Sequence, residues 1–341
     1  MARIVLGLGT SHTPLLVLEG ERWAERAAED FESDRLITSD GRNVSYAALK
    51  AERGEPHAQE ATEARFVELF QAAQVALDRL ADELEAAQPD VVLIIGDDQD
   101  EMFGKDNMPA VAIYYGAHVV MHPRKKVTDP DWRTPVNKGY AMDAAHMFAG
   151  HPEFGEWLIR GLIARDVDVA SARVVPEPEE RGFGHAYGFI AKRLFRGRSI
   201  PMVPLLLNTY FPPSTPRPGR CYDIGQKLAE AIAEFPQDLK VCVIASGGLS
   251  HFVTDAELDR RVLNALLADD RDAMAAIPEC ALLSGSSEIR NWIMLGGIIS
   301  GMKPVWCEYH PVYRTPSGTG IGLGFAAWHP ASANSERNQE P

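Results

Sequence analysis

The chain has 341 residues, 45% hydrophobic and 24% charged, the composition of a globular protein with a substantial core rather than of a fibrous or disordered chain. A formal net charge of −14 repels phosphate backbones and anionic membranes, which argues against nucleic-acid and membrane partners. Four widely spaced cysteines (Cys221, Cys242, Cys280 and Cys307) form no CxxC pair. Neither a disulfide framework nor a zinc ribbon is indicated, and without a leader-like start or an apolar run of membrane-spanning length the expected location is the cytoplasm.

In chain order, Ile4–Leu8 reads as a buried strand ending at a turn that presents His12. Residues 17–56 are charged and read as an irregular surface excursion. From Phe66 to Leu84 apolar residues recur at three- and four-residue steps, the one-faced pattern of an amphipathic helix closed by Gln88-Pro89-Asp90. The apolar run Val91–Ile95 is a second strand, and its exit carries Asp97, Asp98, Gln99, Asp100 and Glu101. A helix is expected over 154–165, strands over 167–170 and 202–207, a helix over 224–235 and a strand over 241–245. Residues 124–140 form a second surface excursion, and 331–341 a disordered tail.

Strands alternating with helices predict an α/β fold, a largely parallel mixed sheet flanked by helices on both faces, built as one domain over 1–330. In such sheets ligands bind beyond the carboxyl ends of the strands. His12, the 97–101 cluster and the run Ser246-Gly247-Gly248-Leu249-Ser250-His251 all stand at such ends.

Ten histidines are present, and three have suggestive company: His12 after a strand, His251 after a Gly-Gly turn, and His185 in Gly182-Phe183-Gly184-His185. Glu288 follows Ser284-Gly285-Ser286-Ser287 and precedes an apolar segment, so Ser286 or Ser287 is expected to cap a buried helix with Glu288 in its first turn. That position suits a capping carboxylate or a metal-bound one. Two histidines and one carboxylate are what a non-haem Fe(II) site requires. The Asp97-Asp98 pair could instead hold Mg²⁺, but no phosphate-binding GxxxxGK[ST] loop accompanies it, and no GxSxG elbow supports a serine nucleophile.

In order along the chain, Gly9-Thr10-Ser11-His12-Thr13-Pro14, His151-Pro152-Glu153, Gly184-His185, Asn208-Thr209-Tyr210-Phe211-Pro212-Pro213, Gly247-Gly248-Leu249-Ser250-His251 and Ser284-Gly285-Ser286-Ser287-Glu288 followed by Trp292-Ile293-Met294 resemble the class III extradiol ring-cleavage dioxygenases. The likeness is to the catalytic β-subunit type of protocatechuate 4,5-dioxygenase. Gly96–Phe103 and Tyr313–Gly320 look most like the single-chain 3-O-methylgallate dioxygenase group.

The resemblance implies that His12 and Glu288 bind Fe(II), with Mn(II) as second choice, and that His251 is the base on a catechol. It implies a supporting role for His185 near substrate and O2, and contact of Ser317 and Thr319 with the ring substituent. Arg314, by its charge, suits a benzoate carboxylate. One position departs: where the two-subunit enzymes carry Asn-Asp-His this chain has Asp97-Asp98-Gln99, so the third ligand is expected to be Gln99, through its amide oxygen, or His57. The expected activity is cleavage of a catechol- or gallate-type aromatic acid by O2. A binding protein on a decayed scaffold and a metal-dependent hydrolase of an aromatic amide or ester are the alternatives. The 17–56 insertion is expected to act as a lid and to replace a separate small subunit in a homodimer.

Overall fold

The computed structural model describes residues 1–124 and 131–331. The tail beyond Ala331 and residues 125–130 of the second excursion lie outside them.

The strands in chain order are β1 (Arg3–Thr10), β2 (Leu36–Ile37), β3 (Asn43–Val44), β4 (Val91–Asp97), β5 (Val111–Tyr114), β6 (His118–Val120), β7 (Met147–Ala149), β8 (Ala170–Ala172), β9 (Met202–Leu207), β10 (Lys240–Ser246), β11 (Lys303–Tyr313) and β12 (Gly320–His329). Eight of them form one sheet in the order β11-β12-β1-β10-β4-β9-β5-β8. Its centre, β1-β10-β4-β9, is all parallel, whereas β12 and β11 on one side and β5 on the other run antiparallel to their inner neighbours. This is the mixed, largely parallel α/β sheet that the sequence predicts.

The central strands are apolar on both faces because alternate side chains enter two different cores. On β4, Val92 and Ile94 join one core with the Glu63–Ala87 helix. Val91, Leu93 and Ile95 join the other with the Pro218–Ala233 and Ile289–Ile298 helices. β10 divides in the same way, Cys242 and Ile244 against Val241, Val243 and Ala245.

Three local expectations are corrected. The strand expected at 167–170 forms at Ala170–Ala172. The helix expected from residue 224 starts six residues earlier, because Pro218 at its first turn is preset for helical φ and lacks the N–H that would be orphaned there. Residues 17–56 are ordered rather than irregular: they contain the Trp23–Phe31 helix, the β2-β3 ribbon and the Tyr46–Arg53 helix. Leu36, Tyr46 and Leu49 of this insertion pack on Val253, just beyond His251. The fully buried Trp23 donates its indole N–H to the carbonyls of Leu15 and Leu18.

Candidate metal and active site

Four adjacent parallel strands deliver polar residues at one edge of the sheet. His12 follows β1; Asp97 ends β4, with Gln99 and Glu101 just beyond; Tyr210 follows β9; Gly248 and His251 follow β10. Two helix starts complete the group. His185 opens the His185–Arg193 helix, and Glu288 stands at the junction between a 3-10 turn, Ser284–Glu288, and the Ile289–Ile298 helix. Glu288 therefore precedes the helix rather than lying in its first turn. Neither Ser286 nor Ser287 acts as its cap: Ser286 Oγ accepts from the backbone N–H of His251 at 3.0 Å.

His12, Asp97, His185 and Glu288 each offer a ligand atom within 4.8 Å of the others, and all four are buried. His12 Nε2 lies 3.3 Å from Glu288 Oε2 and 3.9 Å from Asp97 Oδ1. His12 Nε2 and Asp97 Oδ1 are among the buried side-chain atoms of the described residues that have no hydrogen-bond partner. Such atoms are costly to bury unless something else satisfies them. Glu288 is held from two sides, Tyr210 O–H donating to Oε1 at 2.8 Å and Gly248 N–H to Oε2 at 2.7 Å. Gly247, at φ 118°, can have no side chain, since a Cβ there would stand 2.6 Å from Glu288 Oε2 and 3.0 Å from His12 Cε1.

The charges are unbalanced in favour of a cation. Burial opposes the protonated form of His12, but Glu288 and Asp97 beside it reverse that and raise its pKa. Burial raises the pKa of Asp97, and the charge of Glu288 adds to the effect. Burial also opposes ionisation of Glu288, but His251 and His12 hold its pKa well below the ordinary range. A divalent cation among these groups would satisfy the two unpaired atoms and offset two buried carboxylates, so the donor set fits a metal ion.

His251 and His185 are each oriented by one ring nitrogen. The carbonyl of Leu249 accepts from His251 Nδ1–H at 2.9 Å, leaving Nε2 free, 3.5 Å from Glu288 Oε1. Glu101 accepts from His185 Nδ1–H at 3.3 Å. Although burial opposes its ionisation, His185 and Arg124 hold Glu101 at about 2. Asp98 turns away from the group and accepts from the backbone N–H groups of Glu101, Met102 and Phe103, so it shapes the loop and forms no metal pair with Asp97.

Of the expected residues, His12, His185, His251 and Glu288 come together with Gln99 and Arg314 around one cavity of ≈330 Å³. Gln99 turns its amide nitrogen, not its oxygen, toward the group, 3.0 Å from Asp97 Oδ2 and 3.4 Å from His185 Nε2. The structure does not bring His57 there: its ring stacks on Tyr313 with centroids 3.6 Å apart, and its backbone N–H donates to Pro316. Ser317 donates to the carbonyl of Gly54 and Thr319 to Asp30, so both hydroxyls tie the C-terminal loop to the insertion. Arg314, too, is engaged with Asp30.

Sequence reasoning gave no ligand role to Asp97 outside an Asp97-Asp98 pair, and none to Tyr210 or Arg26. The signal for Asp97 was available: an acidic residue closing an apolar strand must be buried with it, and buried carboxylates need a partner.

Residues 55–324 match the family described as catalytic LigB subunit of aromatic ring-opening dioxygenase. A 184-residue stretch is 31% identical to gallate dioxygenase of Pseudomonas putida and spans 50% of this chain and 52% of that protein. With most of its length inside the match, the chain belongs to the LigB family of aromatic ring-opening dioxygenases.

Proposed function

We propose that the protein is an Fe(II)-dependent extradiol dioxygenase acting on a catechol- or gallate-type aromatic acid such as 3-O-methylgallate, gallate or protocatechuate. The observation that carries this reading is the pair of buried, unpaired atoms, His12 Nε2 and Asp97 Oδ1, beside Glu288 and His185 in a chain of this family. His12, Asp97, His185 and Glu288 are the residues that would hold the metal. When bound, Fe(II) supplies Lewis acidity toward two adjacent ring hydroxyls and a place for O2.

The chain's own residues do the remainder. His251, its tautomer set by Leu249, has Nε2 bare and placed to accept a ring hydroxyl proton and later return it. Tyr210 and Gly248 fix the orientation of Glu288. Glu101 fixes the ring of His185, leaving His185 Nε2 toward the cavity. Both oxygen atoms of O2 enter the product as one ring carbon–carbon bond breaks.

The cavity is at the small end of the range of ligand sites, which suits a single-ring substrate. Arg26 of the Trp23–Phe31 helix lines it, and this supports the reading of 17–56 as a built-in cover; a homodimer without a separate small subunit is part of the same proposal. All four cysteines are free, as suits a reducing cytoplasm, and no described helix is long and apolar enough to cross a membrane. Two of the buried atoms that lack a partner converge on one group with Glu288 and His185, which favours a working site over a purely binding one. O2 uptake by Fe(II)-loaded protein across catechols, gallates and their methyl ethers tests the proposal. Uptake with at least one aromatic acid is expected, and none with any of them would overturn it.

A further inference from the structure

Three arginines, Arg26, Arg124 and Arg314, line the same cavity as His12, Glu288 and His251. Their situations differ. Arg314 makes a two-pronged contact with the buried Asp30, Nε to Oδ2 at 2.7 Å and Nη2 to Oδ1 at 3.2 Å. Arg124 stands 3.4 Å from Glu101. Arg26 donates through Nη1 to Asp30 Oδ1 at 3.0 Å and has the more exposed Glu29 at 3.5 Å, a residue that also pairs with Arg133.

Asp30 also accepts from Thr319, so its two oxygens receive four hydrogen bonds, a full complement. A buried guanidinium, Arg314, and a partly exposed one, Arg26, thus share one buried carboxylate. Burial, and then the charge of Arg314, both disfavour the Arg26 cation, an arrangement that a second anion would relieve. Among the described residues, Arg26 makes its hydrogen bond through Nη1 alone, so Nε and Nη2 keep donors for a planar two-oxygen anion. Its guanidinium lies 5.6 Å from the ring of Phe252, the residue after His251, and 5.8 Å from that of Trp132. These contacts hold it in place without using its donors.

We propose that Arg26, carried in by the insertion, is a specificity-determining residue that binds the carboxylate of the aromatic substrate, while Asp30 and Arg314 position it. The proposal rests on the dioxygenase reading for the identity of the ring, but the anion recognition rests on residues outside the metal group. It moves the carboxylate contact from Arg314, whose fork is engaged with Asp30, to Arg26.

The test compares pairs that differ only in the carboxylate: gallate with pyrogallol, and protocatechuate with catechol. Affinities are measured under argon on metal-loaded wild type, Arg26→Gln and Arg124→Gln, with O2 uptake recorded separately. The acid-to-neutral affinity ratio is expected to fall between about tenfold and a hundredfold in Arg26→Gln, as for loss of a charge-assisted contact, and much less in Arg124→Gln. An unchanged ratio in folded Arg26→Gln, or a fall in Arg124→Gln alone, overturns the proposal. Should Arg26→Gln not fold, wild type alone still decides: the methyl ester of gallate is expected to bind at least about tenfold more weakly than gallate, and equal binding overturns the proposal. Absence of O2 uptake with every compound would count against the dioxygenase reading, whereas the ratio under argon reports on Arg26 by itself.

Discussion

Ser246 Oγ donates to the carbonyl of Ala186 at 2.7 Å, and a hydroxyl has one proton, so its 3.0 Å contact with His12 Nδ1 must be one in which His12 donates. The proton of the neutral ring is thereby placed on Nδ1, and Nε2 is left bare toward Asp97 and Glu288. Ser246→Ala removes that selection. Its affinity for Fe(II) is expected to fall by about 10- to 100-fold, read as metal retained after dialysis against a weak chelator. Retention equal to wild type would show that the tautomer is set by something else.

The proposed ligand set gives a sharper contrast. Asp97→Ala is expected to lose the metal, while His57→Ala, whose ring stacks on Tyr313 away from the group, retains it in full. Metal content per chain by elemental analysis decides the matter, and the opposite ranking would return His57 to the site.

Asp30 joins the insertion to the C-terminal loop through Arg314, Arg26 and Thr319. Asp30→Ala leaves the buried Arg314 and the partly exposed Arg26 without their shared partner and is expected to lower stability by about 3–5 kcal/mol, read from denaturant unfolding. A loss below about 1 kcal/mol, the range of exposed ion pairs, would mean that the contact is incidental.

Asp259 receives the backbone N–H and the hydroxyl of Ser250, the residue before His251, together with the hydroxyl of Tyr309. Burial nevertheless pushes its pKa up to about 6. A carboxyl whose folded pKa is raised favours folding most when protonated, so this contribution is complete below about pH 4 and disappears as pH rises through 6. Relative to Asp259→Asn, wild type is expected to lose roughly 3 kcal/mol of unfolding free energy over that window. Parallel pH profiles for the two proteins would contradict the assignment.

Much of this arrangement was legible in the sequence because its causes are local. Apolar runs closed by polar turns located β4, β9 and β10 almost to the residue, and chain alternation placed His12 and His251 at strand ends. The proposed metal group was half legible: His12 and Glu288 were expected in it, but Asp97 and His185 join them only because β4 lies beside β10 and the His185–Arg193 helix starts over that edge. His57 illustrates the same limit from the other side. Its place before the Glu63–Ala87 helix suited a ligand, but the preceding segment follows the C-terminal loop, where Tyr313 and Pro316 hold it. The insertion looked irregular because its helices are short and charged. What orders them is long-range, the packing of Trp23 on Phe66 and Phe70 and the pairing of Asp30 with Arg314, 284 residues away in sequence.

The central claim, that His251 moves a proton while the four-residue group holds Fe(II), is tested most directly by single-turnover reaction with ¹⁸O₂ in wild type and His251→Ala, with iron content measured on the same samples. Wild type is expected to place both labelled atoms in a ring-opened product. His251→Ala is expected to keep its iron and to form the product about 10²- to 10⁴-fold more slowly, the range for a positioned acid–base group. Product carrying only water-derived oxygen, or a folded, iron-loaded His251→Ala that turns over at the wild-type rate, would contradict the account.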